Sequence, residues 1–223
     1  MSVTAATRVL LVEGEEDKRV LPWLIEKAGV PWGPKDAPVV KIVPYDGVEN
    51  LLCAGEIETH LKTSGLSALG VIVDADHDVA ARWQSISARI SAHYTNVPAQ
   101  MPASGLILKR QTGPAFGAWI MPDNCNRGML ETFLLFLRPN ENLALHALSA
   151  SVIDQAKQAG ASFSQQHRDK AQIHSWLAWQ DPPGAQMHNA IMQGMLNGAS
   201  PNAAAFVNWF CSLYGLSKAE KQG

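Results

Sequence analysis

Five short apolar runs stand out along the first half of the chain, each stopping at a turn residue or a charge. They are TRVLLV at 7–12, PVVKIVP at 38–44, ALGVIV at 68–73, GLILK at 105–109 and GAWIM at 117–121. Continuous apolar runs of this length are what strands buried on both faces require. Helical spacing fills the intervals. Val20, Leu21, Leu24, Ile25 and Ala28 share one face, and Gly29 closes that segment. Pro22 is compatible with it if the regular helix begins near Asp17–Lys18, which leaves the proline in or near the first turn. Leu51, Leu52, Ile57 and Leu61 predict a helix over 48–63, and Val79, Trp83, Ile86 and Ile90 predict another over 78–93.

This alternation is the grammar of an α/β domain with a mainly parallel sheet and helical crossovers. From residue 128 the pattern becomes helical, over 128–138, 141–159, 165–179 and 187–213, with Pro182-Pro183-Gly184 as an interruption. The reading is an α/β core over 1–138 and a helical C-terminal extension over 139–223 packed on it.

Composition narrows the class. At 223 residues and 47% hydrophobic, the chain supports one substantial core. Its net charge of -2 gives no global basic field for nucleic acid, although a local patch remains compatible with it. Cys53, Cys125 and Cys211 are too scattered for a disulfide framework or a zinc site. The opening residues turn acidic where a signal peptide stays apolar, and no apolar run approaches the ~20 residues of a membrane span. A soluble cytoplasmic protein is expected.

The chemistry concentrates at two strand ends. The first run stops at Glu13-Gly14, the third at Asp74-Ala75-Asp76. In parallel sheets functional groups collect beyond the carboxyl ends of the strands. Residues two apart in extended chain face the same way, so Asp74 and Asp76 can aim at one point while Glu13 arrives from another strand. Two unit charges ~4 Å apart repel by about 4 kcal/mol at an effective dielectric of 20. Gathered carboxylates therefore need protons, a basic partner or a cation. An all-oxygen set favours Mg²⁺ or Mn²⁺ over zinc.

Val12-Glu13-Gly14-Glu15-Glu16-Asp17 before a helix, followed by Val73-Asp74-Ala75-Asp76, resembles the TOPRIM domain of topoisomerases, DnaG-type primases and OLD-family nucleases, over about residues 7–135. Gly128-Met129-Leu130-Glu131 is similar to the later Gly-x-x-Glu of the OLD-like branch, and Lys170 to its lysine before a C-terminal helix. Trp119-Ile120-Met121-Pro122-Asp123-Asn124 resembles a segment of uncharacterised bacterial TOPRIM-like proteins. The resemblance implies a Rossmann-like TOPRIM sheet and a Mg²⁺- or Mn²⁺-dependent nuclease acting on DNA or RNA. Asp74 and Asp76 would be metal ligands, and Glu13 a ligand or general acid/base. Asp17 and Glu131 would complete a second metal position, with Lys170 neutralising the scissile phosphate. Two ions would then serve phosphodiester hydrolysis. OLD-like domains are often coupled to an ABC-type ATPase, and this chain has no GxxxxGK[ST] loop. A separate ATPase subunit is therefore an expected partner, and a homo-oligomer is compatible with the sequence.

Plainer readings stand beside these. Asp17 serves equally as a helix N-cap, Asp78 as the cap of the following helix, and Glu131 as a first-turn acid. Asp123 and Asn124 make a turn. Lys170 reads as a solvated helix residue, and His77, His167 and His174 as surface. Lys109, Arg110 and Arg127 are ordinary charged loop ends or a phosphate path. Trp23, Trp32, Trp83, Trp119, Trp176, Trp179 and Trp209 read as core or interface. Two rival functions fit the acids. GVIVDADHD resembles the strand end of haloacid-dehalogenase phosphohydrolases, with Asp74 as nucleophile, although Asp78 stands where Thr or Val is expected. The other rival is a binding module that holds a cation without turnover.

Overall fold

The computed structural model describes residues 7–219. It is an α/β protein built on a five-stranded sheet in the order β2-β1-β3-β5-β4, from β1 (Arg8–Val12), β2 (Lys41–Pro44), β3 (Ala68–Asp74), β4 (Leu106–Leu108) and β5 (Ala115–Met121). The pairs β1–β2, β1–β3 and β3–β5 are parallel, and the short edge strand β4 runs antiparallel to β5. Strand alternation loads both faces. Leu10 and Val12 enter one apolar cluster, and Val9 and Leu11 enter the other.

One face carries α1 (Glu15–Lys27), α5 (Leu130–Leu135), α7 (Arg168–Leu177), α8 (Met187–Met192) and α9 (Pro201–Tyr214). The other carries α2 (Val48–Leu51), α3 (Glu56–Leu61) and α4 (Val79–Ile90). Because α1 and α3 cross on opposite faces, the chain reverses its winding direction between β1 and β3. In open α/β sheets ligands bind beyond the carboxyl ends of the strands at such a reversal.

The helix α9 is a full layer of the core. Phe206, Phe210 and Leu213 share a cluster with Leu10, Ile72 and Trp119. Its close approach depends on Gly70 and Gly117, which lie side by side in the β3–β5 ladder. A Cβ at Gly70 would collide with Tyr214 and Leu10, and one at Gly117 with Leu213. Tyr214 Oη donates to the Val9 carbonyl at 2.8 Å, and Trp209 Nε1 to the Leu106 carbonyl at 2.9 Å. The remaining helix, α6 (Leu143–Gln158), packs on α7 and leaves Leu143 and Leu148 exposed.

Several predicted boundaries are corrected. The helix α1 begins at Glu15, so Pro22 lies inside it rather than in the first turn. The predicted 48–63 helix is two helices, broken at Gly55, whose φ of 94° is left-handed. The 187–213 segment is likewise divided into α8 and α9, with Gly194 at φ 80° between them and Pro201 opening the second. The second strand shrinks from 38–44 to Lys41–Pro44, while the last lengthens from 117–121 to Ala115–Met121. Among the described residues no helix is long and apolar enough to cross a membrane.

Candidate acidic site at the β1–β3 strand ends

Beyond Val12 the first strand turns away at Gly14, the N-cap of α1, while β3 runs on to Asp74. That geometry would leave the Asp74 N–H without a ladder partner. It donates instead to Glu13 Oε1 at 2.7 Å. Asp74 Oδ1 in turn accepts the N–H of Leu130, the first residue of α5, at 3.0 Å. Glu131 follows directly and is buried, and Lys170 of α7 reaches its Oε1 at 3.0 Å.

Asp17 is buried in the first turn of α1, where its Oδ2 accepts the Gly14 N–H at 3.1 Å. It thus caps the helix from the third helical position, which corrects its reading as the N-cap residue. The sequence-predicted Glu13, Asp17, Asp74, Asp76, Glu131 and Lys170 are therefore brought to one rim of the sheet.

Electrostatics shows how close the acids are. Burial, then the charges of Asp17, Glu13, Glu131 and Asp76, push the Asp74 carboxyl well above its usual range. Burial raises Glu13 to about 7, against the lowering effects of the Asp74 N–H and the Arg82 guanidinium. Burial and the neighbouring Glu13 charge raise Asp17 to about 7 as well. Burial works against the Lys170 ammonium, but Glu131, Asp74 and Glu16 outweigh it and hold the lysine above its ordinary value. Acids that share a site in this way stay partly protonated near neutral pH unless a cation compensates them.

The backbone at Asp76 departs from expectation. Its φ is +52°, so the extended geometry that would aim Asp74 and Asp76 together ends at Ala75. An isolated antiparallel bridge to Gly128 holds Asp76 in that left-handed conformation, which Asp tolerates better than most residues. Its carboxylate turns to Arg82 Nη2 at 2.8 Å and Gln166 Nε2 at 2.9 Å. Arg82, Gln166 and the Thr132–Asp169 hydrogen bond of 2.7 Å, which docks α7 on α5, had no sequence expectation. Arg82 follows the capping Asp78 by one helical turn, a spacing that could have suggested it; nothing in the sequence points to Gln166.

The donor set is entirely oxygen, the chemistry of Mg²⁺ or Mn²⁺. Among the described residues no three His, Cys, Asp or Glu side chains are already gathered as ligands around one point. The reason is local, since each acid is turned toward an internal donor. However, Glu13 Oε2, Asp74 Oδ2 and Glu131 Oε2 have no hydrogen-bond partner among the described residues. The residues fit a hard cation in charge and donor type, and would have to exchange internal donors to enclose one.

The other candidates stay apart or take plain roles. Asp78 caps α4, accepting from Ala80 and Ala81 at 2.8 and 3.1 Å. His77, His167, His174, Lys109 and Arg127 are exposed. Asp123 closes a turn by accepting from Cys125 and Asn126, and the buried Asn124 accepts from Ile120. Trp32, Trp83, Trp119, Trp176 and Trp209 are buried, whereas Trp179 is exposed.

Compared with known proteins, the chain matches across residues 7–215 a family described as protein of unknown function, DUF3226. It belongs to that family. The match runs from β1 through α9, so the helical layer is as much part of the family as the acidic rim. No curated protein and no solved structure matches the chain.

Proposed function

We propose that this DUF3226 chain is a TOPRIM-like, divalent-cation-dependent nuclease that hydrolyses phosphodiester bonds of DNA or RNA. The observation that carries the reading is the 2.7 Å hydrogen bond from the Asp74 N–H to Glu13 Oε1 across two strand tips, with Asp17 bonded to Gly14 next to Glu13 and Glu131 next to the Leu130 N–H that Asp74 Oδ1 accepts. Glu13, Asp17, Asp74 and Glu131 would hold Mg²⁺ or Mn²⁺, as one ion or two. When bound, such an ion supplies Lewis-acid activation of water and of the phosphoryl oxygens.

The chain's own groups have defined tasks. Glu13, whose Oε1 is held by the Asp74 N–H, would present Oε2 to the cation or to the attacking water. Lys170, kept charged by Glu131, Asp74 and Glu16 and half-exposed, neutralises a phosphate oxygen at the rim. Leu130 N–H and Glu13 orient Asp74 from both sides. With no phosphate-loop motif in the chain, coupling to a separate ABC-type ATPase subunit belongs to the same reading.

The phosphohydrolase alternative is disfavoured on geometry: Asp78, where that mechanism expects Thr or Val, caps α4, and Glu13, idle in that mechanism, accepts the Asp74 N–H. The test is incubation of the purified chain with plasmid DNA and with single-stranded RNA, with Mn²⁺, Mg²⁺ or EDTA. Cation-dependent cleavage lost in Asp74→Ala and reduced at least tenfold in Lys170→Gln is expected. Cleavage unchanged by Asp74→Ala would overturn the assignment, and cation-dependent stabilisation without any cleavage would make the chain a binding module.

A further inference from the structure

Asp76 differs from the other acids of the rim in having both carboxylate oxygens engaged. Oδ2 accepts from Arg82 Nη2 at 2.8 Å and Oδ1 from Gln166 Nε2 at 2.9 Å. Its backbone is held too, by paired hydrogen bonds with Gly128 of 2.9 and 3.0 Å. The same guanidinium reaches back to Asp74, whose carbonyl accepts from Arg82 Nε at 2.9 Å. The Arg82 side chain is only 16% exposed, so its guanidinium is largely enclosed beside this carboxylate. By contrast, Glu13, Asp74 and Glu131 each keep one oxygen without a hydrogen-bond donor among the described residues.

We infer that Asp76 is a positioning residue and not a cation ligand: with Arg82 and Gln166 it clamps the Asp74 peptide, and cation binding falls to Glu13, Asp17, Asp74 and Glu131. The inference rests on the proposal above that this rim binds a divalent cation. Its physical basis is the cost of the alternative. A cation on an Asp76 oxygen would sit beside a largely enclosed guanidinium that lies 2.8 Å from the same carboxylate, and the two positive charges would repel. Asp74, in the clamped arrangement, is fixed at three atoms. Its N–H donates to Glu13, its carbonyl accepts from Arg82, and its Oδ1 accepts from Leu130. Arginine suits this task because its planar fork presents Nε and Nη2 to two acceptors at once, which a lysine ammonium does not reproduce in one plane.

The experiment measures Mn²⁺ binding by electron paramagnetic resonance of the free ion, beside steady-state cleavage kinetics, for the wild type, Asp74→Ala, Asp76→Ala and Arg82→Lys. Wild type is expected to bind Mn²⁺ and Asp74→Ala to lose at least tenfold in affinity. Asp76→Ala and Arg82→Lys should keep the Mn²⁺ Kd within threefold while kcat at saturating Mn²⁺ falls tenfold or more and KM stays nearly unchanged. If Asp76→Ala weakens Mn²⁺ as severely as Asp74→Ala, the inference is wrong and the nuclease reading survives. If Asp76→Ala keeps both affinity and kcat, the positioning role is wrong. Absence of Mn²⁺ binding by the wild type overturns the cation reading and this inference together. Should Asp76→Ala fail to fold, Asp76→Asn decides on Mn²⁺ affinity alone, a tenfold loss overturning the inference, and Arg82→Lys decides on kcat.

Discussion

Glu13 Oε1 accepts the backbone N–H of Asp74 at 2.7 Å, so a side chain stands in for the backbone acceptor that β1 no longer offers once it turns into α1. A partly enclosed N–H at a strand end needs a partner, and an ionisable acid provides it. The same contact stitches together two segments 61 residues apart and places an acid at the winding reversal of the sheet. Structure and proposed chemistry are therefore joined at one atom pair, and substitutions can separate them.

Glu13→Gln retains an acceptor for Asp74, whereas Glu13→Ala leaves the N–H unpaired. The glutamine variant should keep its stability within about 1 kcal/mol, and the alanine variant should lose about 1–3 kcal/mol, the cost of an unsatisfied enclosed donor. Both should lose cation-dependent cleavage. Urea denaturation in EDTA checks the first difference; equal destabilisation of the two variants would show that the hydrogen bond contributes nothing.

The raised acids make a pH prediction with a definite sign. Glu13 and Asp17 hold their protons to about 7 in the fold, against ordinary values of 4.5 and 3.8. Between about pH 4 and 7 the folded state thus binds more protons than the unfolded one, and stability falls as pH rises through that window. In EDTA the loss should be on the order of a few kcal/mol and should continue at higher pH as Asp74, raised further still, gives up its proton. Mn²⁺ or Mg²⁺ at pH 7.5 should restore it, because a cation replaces the protons. Thermal melts across pH 4–8 with and without Mn²⁺ measure this. A curve that rises through the window in EDTA would contradict the shared-proton picture.

Gly70→Ala tests the seating of the last helix. The added methyl meets Tyr214 and Leu10, and moving Tyr214 strains its hydrogen bond to Val9. Overpacking of this kind costs about 1–3 kcal/mol. Gly70→Ala should lower the denaturation midpoint accordingly, and pairing it with Tyr214→Phe should cost less than the sum of the two single changes. Strict additivity would mean that the methyl and the hydroxyl do not compete for the same space.

The α/β class and the strand-end acids Glu13 and Asp74 were legible in the linear chain because their causes are local, whereas Asp17 and Glu131 were singled out only by the family resemblance. Apolar runs make strands, an abrupt charge ends them, and parallel topology sends those ends to one rim. Asp78 was legible as a cap for the same reason, since a cap and its helix are neighbours in sequence. Where local cues failed, the failures were also local. Gly55 and the Gly194–Pro201 stretch break helical spacing that apolar periodicity alone runs through.

What only the tertiary structure decided depends on contacts between distant segments. The left-handed turn at Asp76 exists because Gly128 pairs with it, and Arg82 and Gln166 claim its oxygens from two other elements. The role of Gly70 and Gly117 as a seat for α9 appears only when residues 70, 117 and 213–214 pack together. Hydrophobic period and charge identity are properties of the chain as written. Which donor satisfies which carboxylate is a property of the packed molecule, because it follows from the distances that folding closes.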